Sequence, residues 1–323
     1  MIRRLIALVS AVLMILSFAA CDSKGDDITT TETPSTTSYI REIKTNVAAV
    51  KDVTGFGLSK LASDRDYAYT VTYHDDVAQV KELIRNGKAD IASMNISDAV
   101  ALYKEGADIK IIAVNNLVSM YIYTKGVTVK EPADLKNKTI FALSNDTVTE
   151  NFVRKTFEEN SVEYDGLDIQ IFESVSDLSA AIAEKDKYVL MLSGIDAAHL
   201  PEDNERRVAL DMTMGWINQR SSLPVHSVVV ARTDYITSNP EIINEFRTFN
   251  EVSVNFIVGN AESGALHLYE NGLIDNAEVS GTYVADYCSL GYAEKEKMQK
   301  VVGECLETYV DNTVSVQDIV YID

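Results

Sequence analysis

The sequence predicts an α/β fold built in two lobes, and three observations carry that prediction. From about residue 41 onward, β-rich runs alternate with amphipathic helical runs, the pattern of largely parallel sheets covered by helices. A step from a helix into a buried strand occurs twice, at Gly87 into Ala89-Asp90-Ile91-Ala92 and at Lys185 into Tyr188-Val189-Leu190-Met191. The stretch from about Tyr39 to Asp323 is long enough for one large or two medium domains.

The elements follow in order. Ile43 to Val50 reads as a first strand, a turn carries Gly55 and Gly57, and a helix follows near Leu58 to Ala62. Tyr69 to Tyr73 is a strand, and Asp75 or Asp76 caps a helix over Val77 to Asn86, which Gly87 ends. Ala89 to Ser93 is the third strand, Ser97 and Asp98 open a helix to Tyr103, and Ile109 to Val114 is the fourth strand. A second run begins after Lys125-Gly126: strand Thr139 to Ala142, helix Thr147 to Asn160, strand Ile169 to Phe172, helix Asp177 to Glu184, strand Val189 to Leu192. A third block holds a strand over Val225 to Ala231, a long helix from Pro240 to Val258, and helices toward residue 323.

The N-terminus predicts an address. Arg3 and Arg4 precede an apolar run from Leu5 to Leu16, broken only by Ser10, and Ala19-Ala20 lead into Cys21. That order is a secretory signal, and the run falls short of the roughly 20 residues of a membrane span. Small residues before a cysteine resemble a bacterial lipoprotein signal, although Phe18 stands where such signals more often carry Leu. Residues 1–20 are expected to be a signal peptide and Cys21 a lipidation site, with an ordinary cleaved signal or an uncleaved anchor as alternatives. Residues 21–38 are rich in Asp, Thr and Ser with one apolar residue, Ile28, and are expected to be a flexible tether. A tether between a lipid and a folded body places that body outside the cytoplasm, on the outer face of the cell membrane.

Charge narrows the partners. The chain carries 29 basic and 49 acidic side chains, a net of −20, and loss of Arg3 and Arg4 with the signal makes it −22. Such a body repels nucleic acid. With Cys21 assigned to the anchor, Cys288 and Cys305 remain, as a disulfide or as two buried thiols.

Several segments together resemble the solute-binding proteins of ABC importers, nearest the NMT1/THI5-like and aliphatic-sulfonate or nitrate group. They are Asn46 to Leu58, with Gly55-Phe56-Gly57; Gly87-Lys88-Ala89-Asp90-Ile91-Ala92; Glu131 to Ile140, a "DLKGK" segment with Asn137 in place of Gly; and Val228 to Phe246 with Asn239-Pro240-Glu241. The resemblance covers nearly all of residues 44–323. It implies a periplasmic-binding-protein type 2 fold in which each lobe is a three-layer αβα sandwich with the ligand cleft between them. Lobe 1 would be 40–123 plus 225–323 and lobe 2 would be 124–224, with crossing strands near Ser119 to Thr124 and Val225 to Val230. It further implies a monomer that closes on a small-molecule ligand, without a cofactor or a metal, and delivers it to an ABC permease and its ATPase. Sulfonates and thiamine-pyrimidine-like heterocycles are the ligand classes it suggests.

Ligands of open α/β sheets sit beyond the carboxyl ends of strands, where helix N-termini present unpaired N–H groups. Four segments match: Thr54-Gly55-Phe56-Gly57, Ser93 to Ser97 with Asn95, Ser144-Asn145-Asp146-Thr147, and Ser193-Gly194-Ile195-Asp196. Their bland alternative is ordinary helix capping. Thr54, Gly55, Phe56, Ser93, Asn95, Ser144, Asn145, Thr147 and Ser193 are therefore ligand candidates, joined by Tyr121 and by Trp216. Trp216 either stacks on a ligand or is structural. His74 and His226, near strand ends, read as packing or cap residues. Asp52, Asp146 and Asp196 in the same loops argue against a bare anion.

No His-Glu-x-x-His, phosphate-cradling glycine loop or Gly-x-Ser-x-Gly occurs, and the chain is expected not to be an enzyme. Two rivals stay open: a receptor that reports ligand state to a membrane sensor, and a biosynthetic enzyme on the same fold.

Overall fold

The computed structural model describes residues 44–63, 68–275 and 288–323. The expected signal peptide, Cys21, the tether and Ile43 lie outside the described residues.

The strands are β1 (Thr45–Val50), β2 (Tyr69–His74), β3 (Ile91–Asn95), β4 (Ile109–Leu117), β5 (Tyr121–Lys125), β6 (Thr139–Leu143), β7 (Asp168–Phe172), β8 (Tyr188–Leu192), β9 (Arg207–Asp211), β10 (Val225–Arg232) and β11 (Leu290–Ala293). They form two sheets, β11-β4-β10-β3-β1-β2 and β7-β6-β8-β5-β9. β1 is parallel to β2 and β3, and β6 is parallel to β7 and β8. The sheets are less parallel than the sequence suggests. β10 lies antiparallel between β3 and β4, with Val229 opposite both Ser93 and Ala113. β5 is antiparallel to β8 and β9. The reason is topological: a strand that follows a passage between sheets enters its new sheet from the opposite end.

Each sheet is the middle of three layers. Successive strand residues point to opposite faces, so in β1 Val47 and Ala49 pack with Leu58, Leu61 and Phe246, while Ala48 and Val50 pack with Val80 and Ile84. In the second sheet Phe141, Leu143, Leu190 and Leu192 face Leu178 and Ile182, and Ile140, Ala142 and Met191 face Val148 and Phe152. Burial on both faces turns the central strands into nearly continuous apolar runs.

Local chemistry explains the segments between. Asp76 is the N-cap of helix Val77–Arg85, accepting from Ala78 N at 2.8 Å. Gly87, at φ +68°, turns the chain out of that helix in the left-handed region that suits glycine. Asp90 then accepts from Asn46 N at 2.9 Å and pairs with Arg232 at 3.4 Å, tying β1 and β10 beside β3. Asn137 takes φ +64°, the conformation that a glycine at this point also supplies.

The chain leaves the first sheet after Leu117 and returns at Val225, and the two passages are bonded to each other. Val118 N donates to Pro224 O at 2.8 Å, and Thr213 Oγ1 donates to Val118 O at 2.8 Å. The second passage holds two elements absent from the sequence reading, β9 and helix Met212–Arg220. The described residues contain no helix long and apolar enough to cross a membrane.

Cys288 and Cys305 are not joined by a disulfide. Cys305 is buried, but Cys288 is only half-buried, which corrects the reading of two buried thiols. Burial pushes the Cys305 thiol up to about 12 against the opposing effect of the Tyr309 hydroxyl at 3.0 Å. Iodoacetamide at pH 8 is therefore expected to leave Cys305 unmodified in the folded chain and to alkylate it in urea, as peptide mass mapping will show.

Candidate functional site

At the carboxyl end of β1, Asp52 caps the short helix Val53–Phe56 by accepting from Thr54 N at 2.8 Å. A Cβ on Gly55 would lie 2.5 Å from the Val50 carbonyl oxygen, so the loop closes only around glycine. The Thr54 carbonyl accepts from Ser93 Oγ at 2.5 Å and from Asn115 Nδ2 at 3.1 Å. Thr54 and Ser93 are thereby buried as ties beneath the loop rather than presented to a ligand. Phe56 is also turned inward, packing with Ile257 and Leu268. Asn95 spends its Oδ1 on Asp98 N, at 2.8 Å, as the N-cap of helix Ile96–Lys104.

Beyond these ties lies a cavity of about 230 Å³ that both sheets line. The first sheet contributes Asn116 and Leu117 from β4 and His226 from β10; Val53, Ser119 and Ser289 border the same space. The second sheet's connections bring Ser144, Asn145, Asp146 and Thr149 after β6, and Ser193, Ile195 and Asp196 after β8. Ile195 and Ala198 also pack into the apolar cluster of Phe56, Ile257 and Leu268, so helix Gly194–Ala198 rests on helices of the first sheet.

Of the residues expected from sequence, Ser144, Asn145 and Ser193 meet on the cavity wall. Thr54, Gly55, Phe56, Ser93 and Asn95 support the loops around it. Thr147 is exposed at the start of its helix, outside the wall, and Tyr121 begins β5 with its ring 5.9 Å from that of Tyr123. Trp216 is 1 % exposed and lies off the cavity wall, among Phe152, Tyr309 and the Arg220 guanidinium. Its apolar surface is needed where the helices of the two sheets meet. Sequence reasoning missed Asn116, Ser119 and Ser289 and set His226 aside. The first two were findable, since both lie where β4 ends and a passage begins.

His226 bridges the two sheets. Its Nδ1 lies 2.7 Å from Ser227 Oγ and its Nε2 lies 3.2 Å from Asp146 Oδ2. Asp146 also caps helix Thr147–Glu159, accepting from Val148 N at 2.9 Å, Thr149 N at 3.1 Å and Thr149 Oγ1 at 2.7 Å. Burial alone would raise the Asp146 carboxyl, but the contacts from His226 and Thr149 outweigh it and hold the group well below the usual carboxylate range. A carboxyl lowered in this way stabilises the fold above its unfolded pKa and loses that contribution as pH falls through the folded one. Asp146 is thus an anion at neutral pH. On the same wall, after β8, Asp196 accepts from Ser193 Oγ at 2.6 Å, and the Ser119 hydroxyl accepts from Gly194 N at 3.2 Å.

Comparison with known proteins adds a family and a fold. The family described as "NMT1/THI5 like" matches residues 70–263. No curated protein matches the sequence. An ABC transporter structure from Parabacteroides distasonis is 14 % identical, with a TM-score of 0.67 over 86 % of this chain and 96 % of that one. The periplasmic aliphatic sulphonate binding protein SsuA from Escherichia coli is 13 % identical, with a TM-score of 0.64 over 86 % of this chain and 97 % of that one. The alkanesulfonate-binding protein SsuA from Xanthomonas axonopodis pv. citri, bound to MOPS, is 14 % identical, with a TM-score of 0.58 over 87 % and 98 %. At these identities the shared property is the fold: two α/β lobes with the cleft between them.

Proposed function

The chain belongs to the NMT1/THI5-like family, and on that footing we propose that it is the extracytoplasmic solute-binding subunit of an ABC importer. The two sheets with their helices act as lobes, 40–123 plus 225–323 and 124–224, hinged at the paired passages around Val118 and Pro224. A small organic molecule enters the open cleft, bridges the two walls and favours the closed form because it fits that form better. The closed monomer docks on a permease, whose ATPase drives release inward. Binding, not catalysis, is its task. The ligand classes that the resemblance offers are sulfonates and thiamine-pyrimidine-like heterocycles, and SsuA, bound to MOPS in one structure, is a sulfonate binder on this fold.

One observation carries this reading: loops from the carboxyl ends of strands in both sheets converge on a single cavity, the arrangement a clamp requires. The test is to isolate the protein from its own cells under native conditions, denature it, and identify the released molecule by mass spectrometry. Cells are then expected to accumulate that molecule with the chain present and to lose the uptake when its gene is deleted. Uptake unchanged by the deletion sinks the proposal.

Residues 1–20 serve as the export signal, and Cys21 carries the lipid that holds the body at the outer face of the membrane through the 21–38 tether. Labelled palmitate is expected to enter the wild-type chain and not the Cys21→Ala variant. Equal labelling of the two rejects the anchor at Cys21.

A further inference from the structure

We propose that the cavity selects a ligand that donates hydrogen bonds, a neutral or positively charged nitrogen compound, and rejects sulfonates, nitrate and other oxyanions. The inference rests on the binding role given above and names the chemistry of that same site.

The hydrogen-bonding groups left open on the wall set what it can hold. Among the described residues no lysine or arginine lines the cavity, whereas two carboxylates do. Helix Thr147–Glu159 opens on the cavity, and an N-terminus of that kind commonly seats an anion. Here the seat is taken: Asp146 Oδ1 already accepts from Val148 N and Thr149 N. An oxyanion would have to displace a carboxylate that belongs to the chain.

Several of the other donors are spent as well. Both ring nitrogens of His226 have partners, Ser227 and Asp146. Asn116 Nδ2 gives one of its two hydrogens to Val53 O at 3.1 Å, and its Oδ1 is open to a guest. Thr149 gives its hydroxyl proton to Asp146. Asp196 Oδ2 takes the Ser193 hydroxyl, and its Oδ1 has no protein donor among the described residues. The uncommitted groups are the acceptors Asp196 Oδ1 and Asn116 Oδ1, the Asn145 amide, which offers both a donor and an acceptor, and hydroxyls that adapt to either role. An acceptor that a guest closes off from water is costly to leave unmatched, so a guest rich in N–H groups gains and an acceptor-only guest loses.

A matched pair of probes tests this with the ring held constant: benzamidine and benzenesulfonate, with benzamide as the neutral member. Thermal shift and calorimetry on the exported chain are expected to show saturable binding of benzamidine, weaker binding of benzamide, and none of benzenesulfonate or nitrate. Asp196→Asn keeps the shape and the Ser193 contact; it is expected to weaken benzamidine at least tenfold while the unliganded melting temperature holds. Should Asp196→Asn melt early, Asn116→Leu supplies the second reading, with the same direction of loss. Benzenesulfonate binding as tightly as benzamidine overturns the proposal and leaves the binding role intact, as does an anion released from the native protein. No binding by benzamidine or benzamide also overturns it. No released molecule at all counts against the binding role itself.

Discussion

Replacing Trp216 by alanine is expected to cost about 3–5 kcal/mol of folding stability, the range for removing a large buried aromatic side chain. The ring lies 5.3 Å from Phe152, whose helix follows β6, and 5.4 Å from Tyr309, which follows helix Lys295–Thr308 against the first sheet. Arg220 lies 4.5 Å above it and pairs with both Glu159 and Glu304. Trp216 is thus a shared core residue where the helices of the two lobes come together, and its loss opens a cavity there. Its buried Nε1–H has no hydrogen-bond partner, so Trp216→Phe sheds an unsatisfied donor and is expected to lose much less than Trp216→Ala. Urea denaturation measures both. A loss under about 1 kcal/mol for Trp216→Ala would remove Trp216 from the core of the junction.

The second large effect is at Arg247, a guanidinium only 1 % exposed. It pairs with Asp323 at 2.8 Å, bonds Asn244, lies 3.8 Å from Glu294 and sits over the Tyr321 ring. Its Nε and Nη1 are buried without a hydrogen-bond partner, Nε facing Glu294 only at ion-pair distance. Removing one member of such a pair leaves a charge in a low-dielectric site, which typically costs about 3–5 kcal/mol, whereas replacing the cation by an apolar side chain removes the problem as well as the bond. Asp323→Ala is therefore expected to destabilise the fold by about 3 kcal/mol and more than Arg247→Met does. Burial raises the Asp323 carboxyl, but Arg247 outweighs it and the net direction is down. The pair therefore contributes above the unfolded carboxylate pKa and is lost as pH falls through the lowered one. Denaturation curves should show the gap between wild type and Asp323→Ala closing in acid. An unchanged gap contradicts the pairing.

Most of the fold was legible because it is written locally. Asp76, Gly87 and Pro240 mark helix ends by their own chemistry, and β1, β3 and β8 are short apolar runs between such marks. What escaped depends on distant partners. β9 carries Arg207 and Asp211 and is half exposed as an edge strand, so its composition does not single it out. Helix Met212–Arg220 buries Met212, Thr213 and Trp216 without a strong apolar stripe. The antiparallel place of β10 is a consequence of the passage between sheets, which no local pattern encodes.

The site was legible as loops and less so as side chains. Sequence located the loops after β1, β3, β6 and β8. It did not show that the Thr54 carbonyl would accept from Ser93 and Asn115, because those bonds join residues 39 and 61 positions apart. It also did not place His226 against Asp146, a contact across 80 positions and between two sheets. In the sequence Asp146 argues against a bare anion, and the structure supplies the physical form of that warning in a helix cap already filled.

The claim at the centre is that one guest is held by both lobes at once. Hydrogen exchange on the protein with and without the molecule released from its native form tests it directly. The account predicts slowed exchange on both walls together, at Asn116 to Ser119 and at Asn145 to Thr149. Slowed exchange on one wall alone, or on neither, contradicts the clamp.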